Sequence, residues 1–200
     1  MSSLPLLLLL AIAPSAANAD GVPRGMERVA AGSFRPLFSM TGSADVKVKP
    51  FAIDPLPVSQ ADFFAFTSKV KRWTNSGGGR DPRLPAANVP LQAAEAYCRE
   101  RGARLPTTDE WEYLAQASES DRQAGLTSAF RQRALEYATR SRRGVIIGSG
   151  LRNVWGVRDI HGGLTELTSD IDHYVKRGGH GGHKNHVLTC ANGVVQTGDA

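Results

Sequence analysis

The sequence predicts an α+β fold of short elements joined by much loop. Three observations carry that expectation. Helical stretches open on capping residues and stop at glycine, as at Thr107 with Glu110 and at Gly102. Short runs that alternate apolar and polar residues break at proline, as in Val46–Ile53 with Pro50. From Asn153 onward glycines are frequent, which sets short strands on tight loops.

Taken in order, Leu4–Ala13 is an apolar stretch that ends at Pro14 and small residues, followed by Ala17-Asn18-Ala19. That is the pattern of a signal peptide with an Ala-x-Ala cleavage site, and it is too short to span a bilayer comfortably. Residues 1–19 are expected to be removed, leaving 20–200 as one domain. No Cys follows the apolar stretch, so a lipid anchor is not indicated, and the Gram-negative periplasm is the expected destination. Arg28–Phe34 reads as a strand ending at a turn. Val46–Ile53 suits an edge strand, because Pro50 has no N–H to give. A helix begins near Pro57–Asp62, where Ser59 can cap and the Asp62 carboxylate favours the N-terminus. Phe63, Phe64, Phe66 and Val70 give it a packed face. Asn75–Gly79 breaks it and opens a loop through Pro85.

The next helix is expected over Leu91–Arg101, stopped by Gly102. Thr107 and Glu110 form a capping box for a third, which carries Trp111, Tyr113, Leu114 and Ala115. Asp121–Arg143 is polar and basic and reads as a frayed helix with little to anchor it. Val145–Gly148 reads as a short strand.

Composition removes several function classes. Charged residues at 22% and a spread of Trp, Tyr and Phe exclude a disordered or fibrous chain. No long apolar run follows residue 20, so a spanning helix in the mature chain is excluded. The 24 Lys and Arg against 19 Asp and Glu are interspersed, which describes a basic surface and no nucleic-acid partner. Cys98 and Cys190 are the two cysteines, and in an oxidising compartment a bridge is favoured. It would close a loop of roughly 90 residues, worth about 4–5 kcal/mol in the chain-entropy account. Two unpaired thiols, or thiols with partners outside this chain, are the alternatives.

The run Ala96-Tyr97-Cys98-Arg99-Glu100-Arg101-Gly102-Ala103-Arg104-Leu105-Pro106-Thr107-Thr108-Asp109-Glu110-Trp111-Glu112-Tyr113 resembles the formylglycine-generating, or sulfatase-modifying-factor, family. The segment from Trp155 through Asp159 and Glu166 to Asp170 is similar to that family's G-L-x-D-M-x-G-N-V-W-E-W-x-x-D stretch. Lys176-Arg177-Gly178-Gly179 is similar to its R-V-x-R-G-G-S strand. The likeness covers most of residues 28–182 and implies a C-type-lectin-like α+β fold. Asn153–Val157 and Cys190–Gly193 further resemble a secreted branch of nitrite reductase accessory proteins.

The resemblance also implies sites. Asp159 and Glu166 would give side-chain oxygens to a calcium ion, and Gly162 and Leu164 backbone carbonyls, a donor set that suits a hard cation. Gly163, Thr165 and Leu167 replace the Asn and the two Trp of the pattern. The oxidase members carry a cysteine pair after the Gly-Gly that binds Cu(I), where this chain has His180–Leu188 with no cysteine. The closing G-F-R-C strand is absent, the chain stops at Ala200 where relatives continue, and the partner implied for Cys98 would be missing. The domain therefore reads as truncated, and the Cys98–Cys190 bridge is placed in doubt while staying the sole pairing available within the chain.

His180, His183 and His186, with two residues between each, lie within a Gly-rich stretch and are candidate copper or zinc ligands. Solvated histidines are the plainer reading. Trp73, Trp111 and Trp155 read as core anchors before a sugar-stacking platform. Arg140, Arg142 and Arg143 read as a solvated face, and Asp109, Glu110 and Glu112 as helix N-terminal acids. No phosphate loop, nucleophile elbow or His-Glu-x-x-His run occurs. The functional expectation is a non-catalytic exported accessory protein that holds a periplasmic protein partner such as a copper nitrite reductase. A copper-dependent formylglycine-generating oxidase and a lectin-like binding module are the alternatives.

Overall fold

The computed structural model of the chain describes residues 21–36, 44–140, 146–161, 165–170 and 186–193. Along these run β1 (Glu27–Val29), β2 (Gly32–Phe34), β3 (Val46–Val48), β4 (Phe51–Ile53), α1 (Gln60–Lys69), α2 (Leu91–Glu100), α3 (Thr108–Ala115), α4 (Ser128–Arg140), β5 (Thr165–Glu166), β6 (His186–Val187) and β7 (Ala191–Gly193). This is the mixed α+β class that the sequence predicts. The expected signal peptide lies outside the described residues.

Three helices begin and end where local chemistry puts them. The Asp62 N–H donates to Ser59 Oγ at 3.1 Å and starts α1. At α3 the Glu110 N–H donates to Thr107 Oγ1 at 3.1 Å, and the Thr107 N–H to Glu110 Oε2 at 2.8 Å, closing the capping box. Glu110 also takes both arms of the Arg104 guanidinium, at 2.7 and 2.6 Å. Beyond α2, Gly102 has φ +70°, the left-handed position that favours glycine after a helix.

The strands correct the reading in two places. Residues 28–34 are two strands in two sheets: β1 pairs antiparallel with β4 (Glu27↔Ile53, Val29↔Phe51), and β2 with β3 (Gly32↔Val48, Phe34↔Val46). The chain changes sheet at Ala30-Ala31. Residues 46–53 are likewise split, at Lys49-Pro50, since proline offers no N–H to a ladder. Far from being an edge, β4 is the middle strand in the order β1-β4-β7 and is buried throughout. The third sheet is a two-residue parallel pair, β5 with β6.

Two further expectations change. Ile146–Gly148 form a turn and not a strand; Val145 lies outside the described residues. Of the expected 121–143 stretch, residues 121–140 are described and hold a 3-10 turn (Ala124–Leu126) and then α4, whose anchor is Phe130, 9% exposed, set edge-on to the His161 ring at 5.3 Å. The Phe130 N–H donates to Thr127 Oγ1 at 3.3 Å, and Arg133 pairs with Glu119 at 2.6 Å. One buried aromatic among polar residues gives little periodicity to read.

The interior has two parts. In one, β1, β2, β4 and α3 bring together Val29, Phe34, Phe51, Ile53, Tyr113, Leu114 and Trp155. In the other, α1 and α2 pack Phe63, Phe66 and Tyr97 around Cys98, Leu105, Leu188 and Cys190. Cys98 and Cys190 are joined by a disulfide with a Cα–Cα distance of 5.5 Å. The segment entering β7 runs beside residues 54–58, because the N–H groups of Asp54 and Val58 donate to the carbonyls of Cys190 and Leu188 at 2.9 Å each. A strand therefore closes the sheet immediately after Cys190. Cys98 thus has a partner inside this chain although the G-F-R-C sequence is missing.

Candidate functional site

The site begins in the turn after Asn153. That side chain accepts from the N–H groups of Trp155 and Val157 at 3.0 and 3.1 Å and donates to the Leu114 carbonyl at 3.0 Å, fastening the turn to α3. The next two residues reach a second turn. Arg158 Nη1 donates to the carbonyls of Gly148 and Gly150, at 3.4 and 3.1 Å. Asp159 accepts from the N–H groups of the same two glycines, Gly148 to Oδ2 at 2.5 Å and Gly150 to Oδ1 at 2.6 Å. Adjacent opposite charges thus hold both polar groups of both glycines. Asp159 is 5% exposed and has φ +65°, a left-handed backbone that Asp tolerates better than most residues. Gly150 has no room for a side chain: a Cβ there would sit 2.5 Å from Asp159 Oδ1 and 2.6 Å from the Tyr137 hydroxyl.

Glu166 stands on β5, paired with Val187 of β6. The residue as a whole is half-buried, but its carboxyl group is fully enclosed. Thr189 Oγ1 donates to it at 2.9 Å. Burial pushes its pKa up to about 7; the Thr189 hydroxyl and the Trp111 indole hold it down, and the Asp159 carboxylate pushes it further up. The Trp111 N–H faces this carboxyl without reaching hydrogen-bonding geometry and is buried. Three residues on, Asp170 Oδ1 accepts from the Thr108 N–H at 2.7 Å and its hydroxyl at 2.9 Å, placing an anion at the first turn of α3.

Asp159 also lines a cavity of about 10 Å³ with Phe130, Tyr137, Leu151 and His161, room for about one water. Burial pushes the His161 imidazole down to about 4, helped by Arg133 and opposed by Glu119. Its Nε2 is buried with no hydrogen-bond partner among the described residues.

Of the residues predicted from sequence, Asp159 and Glu166 are both described, and the Asp159 carboxylate is among the groups that raise Glu166. Gly162, Leu164, His180 and His183 lie outside the described residues, and His186 sits in β6 opposite Thr165. Among the described residues no three His, Cys, Asp or Glu gather as a metal cluster. Burial and, to a smaller extent, the Asp159 carboxylate raise Glu166, with no basic group among the causes. Glu110 serves the capping box. The tryptophans are occupied. Trp155 is buried beside Tyr113 with Arg122 over its ring at 4.5 Å. Trp73 stacks on Phe66 at 5.8 Å, with Arg72 over it at 5.5 Å. Sequence reasoning missed Thr189 and the Arg158–Asp159 grip, for which no local signal exists. Asp170 was visible as the end of the W-E-W-x-x-D stretch, but not its role.

Short capped helices, three small sheets, Asp159 on the turn after Trp155 and Glu166 on β5 suit a domain of the sulfatase-modifying-factor type. The chain matches the family described as Sulfatase-modifying factor enzyme 1-like domain over residues 15–199, and it belongs to that family. It is 30% identical to the mouse (Mus musculus) protein named Inactive C-alpha-formylglycine-generating enzyme 2 over an alignment of 117 residues, which takes in 36% of this chain and 38% of that protein. The bovine (Bos taurus) protein of the same name is 29% identical over 118 residues, taking in 36% of this chain and 39% of that protein. The match thus spans less than two fifths of either relative. Among the described residues no helix is long and apolar enough to cross a membrane.

Proposed function

We propose that this chain is a non-catalytic member of its family, an exported domain that holds a partner protein and carries a structural calcium ion. The observation that supports this best concerns sulfur. The chain has two cysteines, and both are 0% exposed and joined to each other. Cu(I) chemistry on a protein cysteine needs soft thiolate ligands, and a buried disulfide offers none. Similarity to two proteins whose names include "Inactive" agrees with this reading. The test is incubation of the purified protein with Cu(I), oxygen and a peptide bearing Cys-x-Pro-x-Arg. No aldehyde is expected. Stoichiometric aldehyde would overturn the proposal.

Calcium would be held by Asp159 and Glu166 with the carbonyls of Gly162 and Leu164. The ion would supply positive charge beside Glu166, whose carboxyl is raised by burial and by the Asp159 carboxylate. The Ala17-Asn18-Ala19 signature supports export, with Asp20 as the mature N-terminus; the mass of protein from a periplasmic fraction tests it, and retained Met1 would refute it. The branch resemblance makes a periplasmic copper nitrite reductase the partner to try first, by co-purification from cells producing both.

A further inference from the structure

We propose that Asn192-Gly193, on the closing strand, is a deamidation site held shut by the Cys98–Cys190 bridge. A chain with the bridge keeps the asparagine. A chain without it converts that residue to aspartate or isoaspartate, a lasting mark of the lost bridge.

Asn192 is the only asparagine of the chain that precedes a glycine. In such a pair no Cβ on the second residue blocks its nitrogen from the side-chain amide. The Gly193 nitrogen bonds to Asn192 Cγ and gives up its proton. The side-chain nitrogen takes up a proton and leaves as ammonia, and a succinimide ring remains. Water then opens the ring at one carbonyl to give aspartate, or at the other to give isoaspartate. No electron is transferred. Isoaspartate adds a methylene to the main chain, which puts a strand out of register.

The fold works against that attack. Asn192 pairs with Ala52 and Gly193 with Phe51, so the ladder of β4 with β7 holds the pair extended, and ring closure has to turn the main chain out of that geometry. The side chain is engaged as well, since Asn192 Nδ2 donates to the Gly102 carbonyl at 3.1 Å. One residue earlier, the Ala191 N–H donates to the Arg104 carbonyl at 2.7 Å and accepts the Arg104 N–H on its own carbonyl at 2.8 Å. Little apolar burial backs these bonds: β7 reads Ala-Asn-Gly, and Ala191, 0% exposed, is its one apolar side chain. The covalent hold is the adjacent Cys190, tied to Cys98 on α2. Deamidation is slow beside the opening and closing of a strand, so its rate follows the population of the open form. Reduction frees the segment that carries β7 and raises that population.

The experiment is a time course on the full chain at mildly alkaline pH: oxidised, reduced with dithiothreitol, and denatured in guanidinium. Peptide mapping reads aspartate and isoaspartate at position 192. Reduction in native buffer should raise the rate by about tenfold or more, toward that of the denatured chain. Gly193→Val should remove most of the product in every state, since its side chain crowds the attacking nitrogen. Where circular dichroism shows that the reduced chain unfolds as a whole, Ala191→Pro takes its place. That variant keeps the bridge, deletes the N–H given to Arg104 and should raise the rate likewise. A rate unchanged by reduction, or by Ala191→Pro where that variant stands in, would overturn the proposal. So would an oxidised chain that loses Asn192 as fast as the denatured one.

Discussion

Around Cys98 and Cys190 the interior is hydrocarbon. Phe63, Phe66 and Tyr97 pack with rings 5.5–5.7 Å apart, and among the described residues no buried side-chain polar atom there lacks a partner. Around Asp159 and Glu166 the interior is mixed. The indole nitrogens of Trp111 and Trp155 and Nε2 of His161 are buried without partners among the described residues, and Glu166 is a buried acid raised in part by the Asp159 carboxylate. The first region is fastened by a covalent bond and by burial, neither of which responds much to solvent. The second is held by charge and hydrogen bonds, which respond to pH and ions. One chain thus has a fixed half and a half able to register its surroundings.

The largest effect should come from breaking the fixed half. Removing a disulfide that spans a separation of 92 residues should cost about 4–5 kcal/mol. Denaturant unfolding of the double variant Cys98→Ala, Cys190→Ala measures it. A loss under about 1 kcal/mol would mean that ring packing alone fastens α2 to the closing strand.

The other half should answer to pH, in opposite senses at two residues. For Glu166 the folded value of about 7 lies above the ordinary 4.5. Its contribution is complete below pH 4.5 and is lost as pH rises through 7, by about 3 kcal/mol. For His161 the folded value of about 4 lies below the ordinary 6.5. Its contribution is complete above pH 6.5 and is lost as pH falls toward 4, by a similar amount of about 3 kcal/mol. In chelator the wild-type curve should therefore be nearly level between these values. Glu166→Gln should expose a stability that climbs with pH, and His161→Gln one that declines. Level curves in both variants would mean that this half does not register pH and would remove its contrast with the disulfide half.

Calcium should act on the second half alone. At a hundredfold excess over Kd it adds about 2.7 kcal/mol and raises the melting temperature by several degrees. Glu166→Gln should remove most of the rise, and Mg²⁺ should substitute poorly because it demands a smaller octahedral cage. The disulfide-free variant should keep the rise. An unmoved wild-type midpoint would leave the two acids without an ion.

The fixed half was the more legible in sequence. Ser59, Thr107, Glu110 and Gly102 act on neighbours one turn away, so their roles can be read locally. Phe63 and Phe66 show the helical spacing of a buried face. The central place of β4 could not be read, since the strand that covers it begins at Ala191, far along the chain. Pro50 pointed to a break but not to its meaning. In the second half, Asp159 and Glu166 came from resemblance to a family segment and not from any pattern of their own. Thr189 lies 23 residues from the carboxyl it serves. Gly148, at the end of what reads as a short strand, and Gly150 just past it meet Arg158 and Asp159 only once the chain has folded.

The smallest effect tests where the halves meet, at the first turn of α3. Two oxygens serve different N–H groups there: Thr107 Oγ1 takes that of Glu110, from within the capping box, and Asp170 Oδ1 takes that of Thr108, from the segment that carries Glu166. Thr107→Ala should cost about 1 kcal/mol, the usual loss of a cap. Asp170→Asn keeps the shape but gives up the charge at the helix N-terminus, so about 0.5–1 kcal/mol is expected. Because the two donors differ, the double variant should lose close to the sum, within about 0.5 kcal/mol. Unfolding of the four proteins in denaturant gives the cycle. A larger coupling would mean that the two oxygens hold α3 as one unit and that the boundary between the halves is shared. If Asp170→Asn costs nothing, burial of Leu167, 3% exposed, is what docks the acid-bearing segment onto α3.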